Sequence, residues 1–257
     1  MLPISDDPGP RRRLPVVNYA LIVANILVFI AEQRYGTCFQ QAYSAVPYAV
    51  THGQALAFPG CSYGEPSPVY LTLLTSMFLH ANLLHIGGNM LYLWIFGDNV
   101  EDRLGHVWYL IFYLFCGLVA SVAQIAVAPN SMLLNLGASG AIAGVLGAYL
   151  VFFPGSKVRT LIYLGFFITF ARLSAFIVIG LWFALELVSG LQSLNPSQVQ
   201  MGGVAYFAHI GGFIAGLIIA LLLRPFMKTR PRRETSYPYW PRHPELASGP
   251  YRDDRTG

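Results

Sequence analysis

Charge is what this sequence lacks. Asp, Glu, Lys and Arg make up 11% of its 257 residues, against roughly 25% in soluble domains. A surface facing water cannot be dressed with so few charges, so much of the outer surface faces lipid. The acidic residues Asp6, Asp7, Glu32, Glu65, Asp98, Glu101, Asp102, Glu234, Glu245, Asp253 and Asp254 fall between or outside the apolar stretches, and only Glu186 lies within one. Cysteine occurs at positions 38, 61 and 116 alone, which rules out a disulfide framework and a CxxC metal signature. The net charge of +4 is small and scattered, which speaks against nucleic acid as a partner.

What the chain does have is apolar residues, 55% of the total, gathered in long runs. A helix needs about 20 of them to cross a hydrocarbon core of about 30 Å. Six runs qualify, at about 15–32, 76–97, 106–128, 133–153, 174–191 and 203–223. The predicted architecture is an all-α polytopic membrane protein, a six-helix bundle over 15–226. The shorter apolar stretch 158–171 ends at Arg172 and reads as a segment lying at or dipping into the interface. Counting it as a seventh span would put the two termini on opposite sides. Charge favours six: with the N-terminus inside, every lysine and arginine except Arg34 falls on the inner side, as the positive-inside rule demands. Both termini are then cytoplasmic, and the chain is a multi-pass plasma-membrane protein with the lipid bilayer as its first partner.

Residues 1–14 form a basic N-terminus carrying Arg11, Arg12 and Arg13. The apolar run that follows ends Phe29-Ile30-Ala31-Glu32-Gln33, without a small-x-small cleavage site, so it reads as an uncleaved first helix rather than a signal peptide. Residues 227–257 are proline-rich and of mixed charge and are expected to be a disordered cytoplasmic tail. The first outer loop, 33–75, is long and rich in glycine, proline and aromatics, a composition that suggests a folded, membrane-embedded cap; loops of this length are more often functional than idle. It contains Cys38 and Cys61, on the oxidising side, either as a disulfide or as two free thiols.

Polar residues inside apolar spans are costly and usually face a cavity or a partner. Three groups qualify. His80, His85 and Asn89 stand at the outer end of the second span, with His85 and Asn89 four apart on one helix face. Gly137-Ala138-Ser139-Gly140 lies in the fourth span and Ala208-His209 in the sixth. Ser139 and His209 each fall about six residues into their spans, roughly 9 Å deep at 1.5 Å per residue. Gly140, Gly144 and Ala148 form a small-residue ridge on one span, and Ala208, Gly212, Gly216 and Ala220 form another. Such ridges let membrane helices approach closely. A serine beside one ridge can meet a histidine beside the other, giving a hydroxyl with a base to activate it. His85, Asn89 and the Ser139 N–H are suited to receive the negative oxygen that develops on an attacked carbonyl. Taken singly, the serine reads as helix packing, a histidine as buried structure and the asparagine as a cap; their shared depth and side argue for a common site.

The runs His80-(x4)-His85-(x3)-Asn89, Gly97-Asp-Asn-Val-Glu101-Asp-Arg103-Leu-Gly105, Gly137-Ala-Ser139-Gly140 and Ala208-His209-(x2)-Gly212-(x3)-Gly216, in that order, resemble the signature of the rhomboid intramembrane serine proteases. The resemblance covers about 15–224 and implies a six-helix bundle that cleaves transmembrane segments of single-span proteins near their outer ends, without a cofactor or metal. It implies Ser139 as nucleophile, His209 as general base, His85 and Asn89 on the oxyanion side, His80 and Gly137 as support, and a dyad without an acid. Glu101 and Arg103 are implied to hold the inner loop after the second span, and the fifth span, with Trp182, to act as a lateral gate. One departure stands out: an aromatic that stacks on the histidine in some members is Ala143 here, so His209 must be oriented by something else, with Tyr206 and the first loop as candidates. Glu186 lies at a depth similar to His209 and is expected to hydrogen-bond within the gate. Rival classes fare worse. A transporter predicts internal repeats with broken helices, and none is seen. A metal hydrolase predicts HExxH or an acidic ligand beside His80, His85 and His209, and none accompanies them. A catalytically inactive rhomboid-like helix-binding protein is disfavoured by the presence of both Ser139 and His209.

Overall fold

The computed structural model describes residues 2–7, 13–165, 167–194 and 204–227. Its elements in chain order are β1 (Leu2–Asp7), α1 (Val16–Tyr35), α2 (Thr37–Tyr43), α3 (Pro47–His52), α4 (Thr72–Thr75), α5 (Leu83–Tyr92), α6 (Asp98–Leu104), α7 (His106–Val127), α8 (Ser139–Phe152), β2 (Lys157–Leu164), β3 (Phe167–Ser174), α9 (Ala175–Ser193) and α10 (Tyr206–Leu223). Arg11, Arg12 and the tail 228–257 lie outside the described residues.

α8 is enclosed by its neighbours. Gly140 through Tyr149 are all buried, as are Val151 and Phe152. Glycine makes this enclosure tight. A Cβ on Gly212 would overlap the Gly140 carbonyl, one on Gly216 the Gly144 carbonyl, and one on Gly147 the Phe213 carbonyl. α8 and α10 therefore touch backbone to backbone along the two predicted ridges. α7 closes the third side, where a Cβ on Gly144 would lie 2.7 Å from Cys116 Sγ.

The predicted spans shift where the chain is apolar without being helical. The second begins at Leu83 rather than at 76, after a break that bends Val69–Phe78 by 78° from Leu83–Leu104. Asn82 starts the new helix by accepting the His85 N–H at 2.9 Å. The fourth begins at Ser139 rather than at 133. Residues 133–138 precede the helix as irregular chain: Asn135 bridges to Ala45, and Leu134 packs on the cluster of Val46, Ala49 and Val69 in the first loop. By length and composition α1, α7, α9 and Tyr206–Phe226 can each cross a membrane, and the bent pair makes a fifth; α8, with 14 residues, is shorter.

The bundle is helical as expected, but the stretch 158–171 is not helical. It forms the hairpin β2–β3, turned at Gly165, and β1 pairs antiparallel with β2 to give a sheet of order β1-β2-β3. The sheet is pinned to the bundle by Asp6, which accepts hydrogen bonds from Asn99 Nδ2 at 2.9 Å and Tyr149 Oη at 2.5 Å. Tyr149 lies ten residues along α8 from Ser139, about 15 Å away along the helix axis. Near the sheet, Glu101 accepts the N–H groups of Val17 and Asn18 at 3.0 and 2.7 Å and so caps α1 from a distance. Asn18 in turn donates to the Leu93 carbonyl at 3.0 Å, where the helix loosens into a π turn. Arg103 lies over the Phe152 ring. In the first loop, Cys38 and Cys61 are joined in a disulfide.

Two outcomes follow from this packing. Gly212→Ala and Gly216→Ala should each lower stability by about 1–3 kcal/mol, the usual cost of overpacking, whereas Gly180→Ala, with open space around it, should not; thermal unfolding in detergent reads the difference. Non-reducing mass spectrometry of protein from an oxidising compartment should find one linked Cys38–Cys61 peptide pair, with buried Cys116 alkylated only after denaturation.

Candidate active site

Ser139 owes its position to the residue two before it. Gly137 has φ +129°, a conformation side chains rarely adopt, and its N–H bonds the Ser76 carbonyl at 2.9 Å. A Cβ there would stand 2.9 Å from His85 Nε2 and 3.4 Å from Ser139 Oγ. The missing side chain thus lets the hydroxyl and the imidazole approach from its two sides. α8 begins at Ser139 with Ala138 as its cap residue and no side-chain cap. The Ser139 N–H is therefore a first-turn donor without an intrahelical partner, at the positive end of the helix dipole.

His209 sits in the first turn of α10, not six residues into a span as predicted. Gln124 of α7 fixes that turn, its Oε1 accepting the N–H groups of Phe207 and Ala208 at 3.1 and 3.3 Å. With α8 and α10 in backbone contact, Ser139 Oγ comes within 2.7 Å of His209 Nε2. On the other ring nitrogen, Nδ1 meets Glu186 Oε2 at 2.7 Å. The carboxylate that the sequence leaves outside the pair is thus in direct contact with it. Trp182, one turn earlier on α9, has its ring centroid 6.0 Å from that of His209. Among the described residues Glu186 and Trp182 of α9 meet His209, where Ala143 offers no aromatic.

His85 and Asn89 share a face of α5, as their spacing predicts, and both line the cavity that holds Ser139 and His209. The Ala81 N–H points at His85 Nδ1 (3.4 Å), which leaves Nε2 to carry the ring proton on the Gly137 side. Asn89 is buried, and its Nδ2 has no hydrogen-bond partner among the described residues. His80 lies in the helix break rather than on the helix. It is fully buried, holds Glu32 through its N–H at 3.0 Å and sets its ring edge-on to His85 at 5.1 Å.

The cavity measures about 720 Å³ and is lined mainly by apolar side chains, a size within the range of ordinary ligand pockets. A second cavity of about 30 Å³ adjoins Ser139 and is lined in part by Ser76, Ser121, Gln124 and Asn135, enough polar groups to hold one water molecule. Gln124 and Asn135 lie outside the three polar groups read from the sequence, although an amide inside an otherwise apolar run is the same kind of signal as Asn89.

The family described as Rhomboid domain matches residues 68–226, more than half of the chain. Rhomboid protease GluP of Bacillus subtilis is 32% identical over 81% of this chain and 35% of its own length. Rhomboid protein 1, mitochondrial, of Saccharomyces cerevisiae is 27% identical over 66% of this chain and 47% of its own length. Rhomboid-like protein 11, chloroplastic, of Arabidopsis thaliana is 26% identical over 62% of this chain and 54% of its own length. The chain therefore spans roughly a third to a half of these relatives. With its apolar helical bundle and with His85, Asn89, Ser139 and His209 around one cavity, this membrane protein belongs to the rhomboid family.

Proposed function

We propose that this chain is an intramembrane serine endopeptidase that cleaves transmembrane segments of single-span membrane proteins. The observation that carries the reading is the 2.7 Å hydrogen bond from Ser139 Oγ to His209 Nε2 at a cavity large enough for a peptide segment. In the acylation step Oγ attacks the scissile carbonyl while Nε2 takes its proton. The carbonyl oxygen becomes an oxyanion and receives hydrogen bonds from the Ser139 N–H, Asn89 Nδ2 and His85 Nε2–H. As the tetrahedral species collapses, the protonated His209 gives its proton to the leaving amine, and the acyl chain remains as an ester on Ser139. Water, deprotonated by His209, then attacks that ester; the acyl C–Oγ bond breaks, the new carboxyl product leaves, and His209 returns its proton to Ser139 Oγ. No cofactor or metal enters the scheme.

For orientation, the distribution of arginine and lysine supports six spans with both termini cytoplasmic in a plasma membrane. The disulfide in the first loop supports placing that loop on an oxidising side. In this arrangement α8 crosses together with the non-helical residues 133–138 that precede it.

Ser139→Ala and His209→Ala should each reduce cleavage of a single-span substrate in vesicles to background. The double variant should be no worse than either single one, because residues acting as a unit are non-additive. Asn89→Ala and His85→Ala should each lower kcat by about 10²–10³, the usual cost of one oxyanion donor. A fluorophosphonate probe should label wild type and not Ser139→Ala. Undiminished cleavage by Ser139→Ala at matched thermal stability would refute the reading. Cysteines introduced into 228–257 should react with a membrane-impermeant thiol reagent only from the cytoplasmic side; labelling from outside overturns the six-span orientation.

A further inference from the structure

We infer that Glu186, assisted by Trp182, is a positioning residue for His209, so that the base is correctly oriented only while α9 is docked on α10. The inference rests on the assignment of His209 as base. Its first support is the hydrogen-bond chain itself. Glu186 Oε2, His209 Nδ1, His209 Nε2 and Ser139 Oγ are linked by two contacts of 2.7 Å. Both side chains of the first contact are shielded, with 13% of Glu186 and 11% of His209 exposed, so water competes weakly for it.

A carboxylate can only accept this hydrogen bond, so it selects the tautomer with the proton on Nδ1. Nε2 then presents its lone pair to the Ser139 hydroxyl. When His209 takes the serine proton, the ring becomes a cation, and the carboxylate faces the positive charge as it forms. A neutral amide in place of Glu186 can instead donate its N–H to Nδ1 and put the ring proton on Nε2, where it blocks proton acceptance. Such an amide exchange in a serine triad costs about 10⁴ in kcat.

The second support is where Glu186 sits. Trp182, Glu186 and Gly190 are four apart and share one face of α9. Along α10 that face meets, in antiparallel order, Phe213, His209 and Tyr206. Trp182 approaches the Phe213 ring at 6.3 Å, Glu186 binds His209, and a Cβ on Gly190 would lie 3.4 Å from Tyr206 Cβ. Phe183 stacks on Phe213 at 4.0 Å beside this stripe. α9 is otherwise loosely held: within its 19 residues only Ala175, Val178, Ile179 and Gly190 are buried, whereas α8 is buried almost throughout. The nucleophile and base therefore stand on the rigid pair of helices, and the group that orients the base stands on the helix least secured to the bundle. Lifting α9 away would leave Ser139 and His209 in place and remove Glu186 and Trp182 from the imidazole.

The test uses the full chain in vesicles or detergent. Glu186→Gln should lower kcat for a single-span substrate and the labelling rate of Ser139 by about 10²–10⁴, with KM little changed. Glu186→Asp should restore part of both. In histidine-selective ¹⁵N NMR, wild-type His209 should carry its proton on Nδ1, and Glu186→Gln should move it towards Nε2. Locking α9 onto α10 with a Gly190→Cys, Tyr206→Cys disulfide, whose Cβ separation is close to that of natural disulfides, should preserve the labelling rate and the wild-type tautomer. Wild-type kcat and labelling in Glu186→Gln with an unchanged tautomer would overturn the inference, as would a loss confined to thermal stability. Should Glu186→Gln not fold, the wild-type tautomer and the Glu186→Asp rates decide. If wild type neither labels nor cleaves, the protease reading falls instead, and the tautomer still reports whether Glu186 orients His209.

Discussion

Backbone contact between α8 and α10 is the constraint on which the rest of this structure depends. Lipid offers helices little hydrophobic reason to associate, so close van der Waals packing must hold them together. Glycines at 140, 144, 147, 212 and 216 permit that packing because any Cβ there would strike the opposing main chain or a side chain packed against it. The contact also fixes chemistry. Ser139 opens one of these helices and His209 lies in the first turn of the other, so their separation is set by main-chain geometry rather than by flexible side chains. A site placed on rigid elements in this way holds its geometry better than one placed on loops.

Polar groups at the far end of the bundle solve a different problem. A helix end in an apolar setting leaves N–H groups that need partners. Glu101 serves the start of α1, and Asn18 takes the Leu93 carbonyl while accepting from Tyr109 Oη at 2.7 Å. Gly97 makes room for this junction, since a Cβ there would overlap the Asn18 amide. The motif Gly97 to Gly105, legible as a pattern in the sequence, is thus a clamp between α1, α6 and α7. His106 joins it through Nδ1, 2.5 Å from Glu101.

How much could be read beforehand follows from the range of each interaction. The small-residue ridges and the shared face of His85 and Asn89 were legible because a period of four is a local property of a helix. The starts of α5 and α8 were not, because the apolar residues before them form a break and an irregular segment packed on the first loop. Composition alone cannot tell such segments from helix. The hairpin over 157–174 was missed for the same reason, and β1 because its pairing partner lies far along the chain. Glu186 could be seen as the one acid inside a span, but not its partner. That required knowing how α9 lies against α10, a relation that no local spacing encodes.

The pairing of β1 with β2 sets an order of events in time. Leu2 is matched with Leu161, so the first strand of the sheet exists long before its neighbour does. At synthesis rates of about 5–20 residues per second, the early strand waits on the order of ten seconds for β2 to emerge. By the end of that interval all the helices between them, α1 to α8, have been made. Closure of the sheet therefore comes only after the helices that carry Asn99 and Tyr149, the partners of Asp6, have been synthesised.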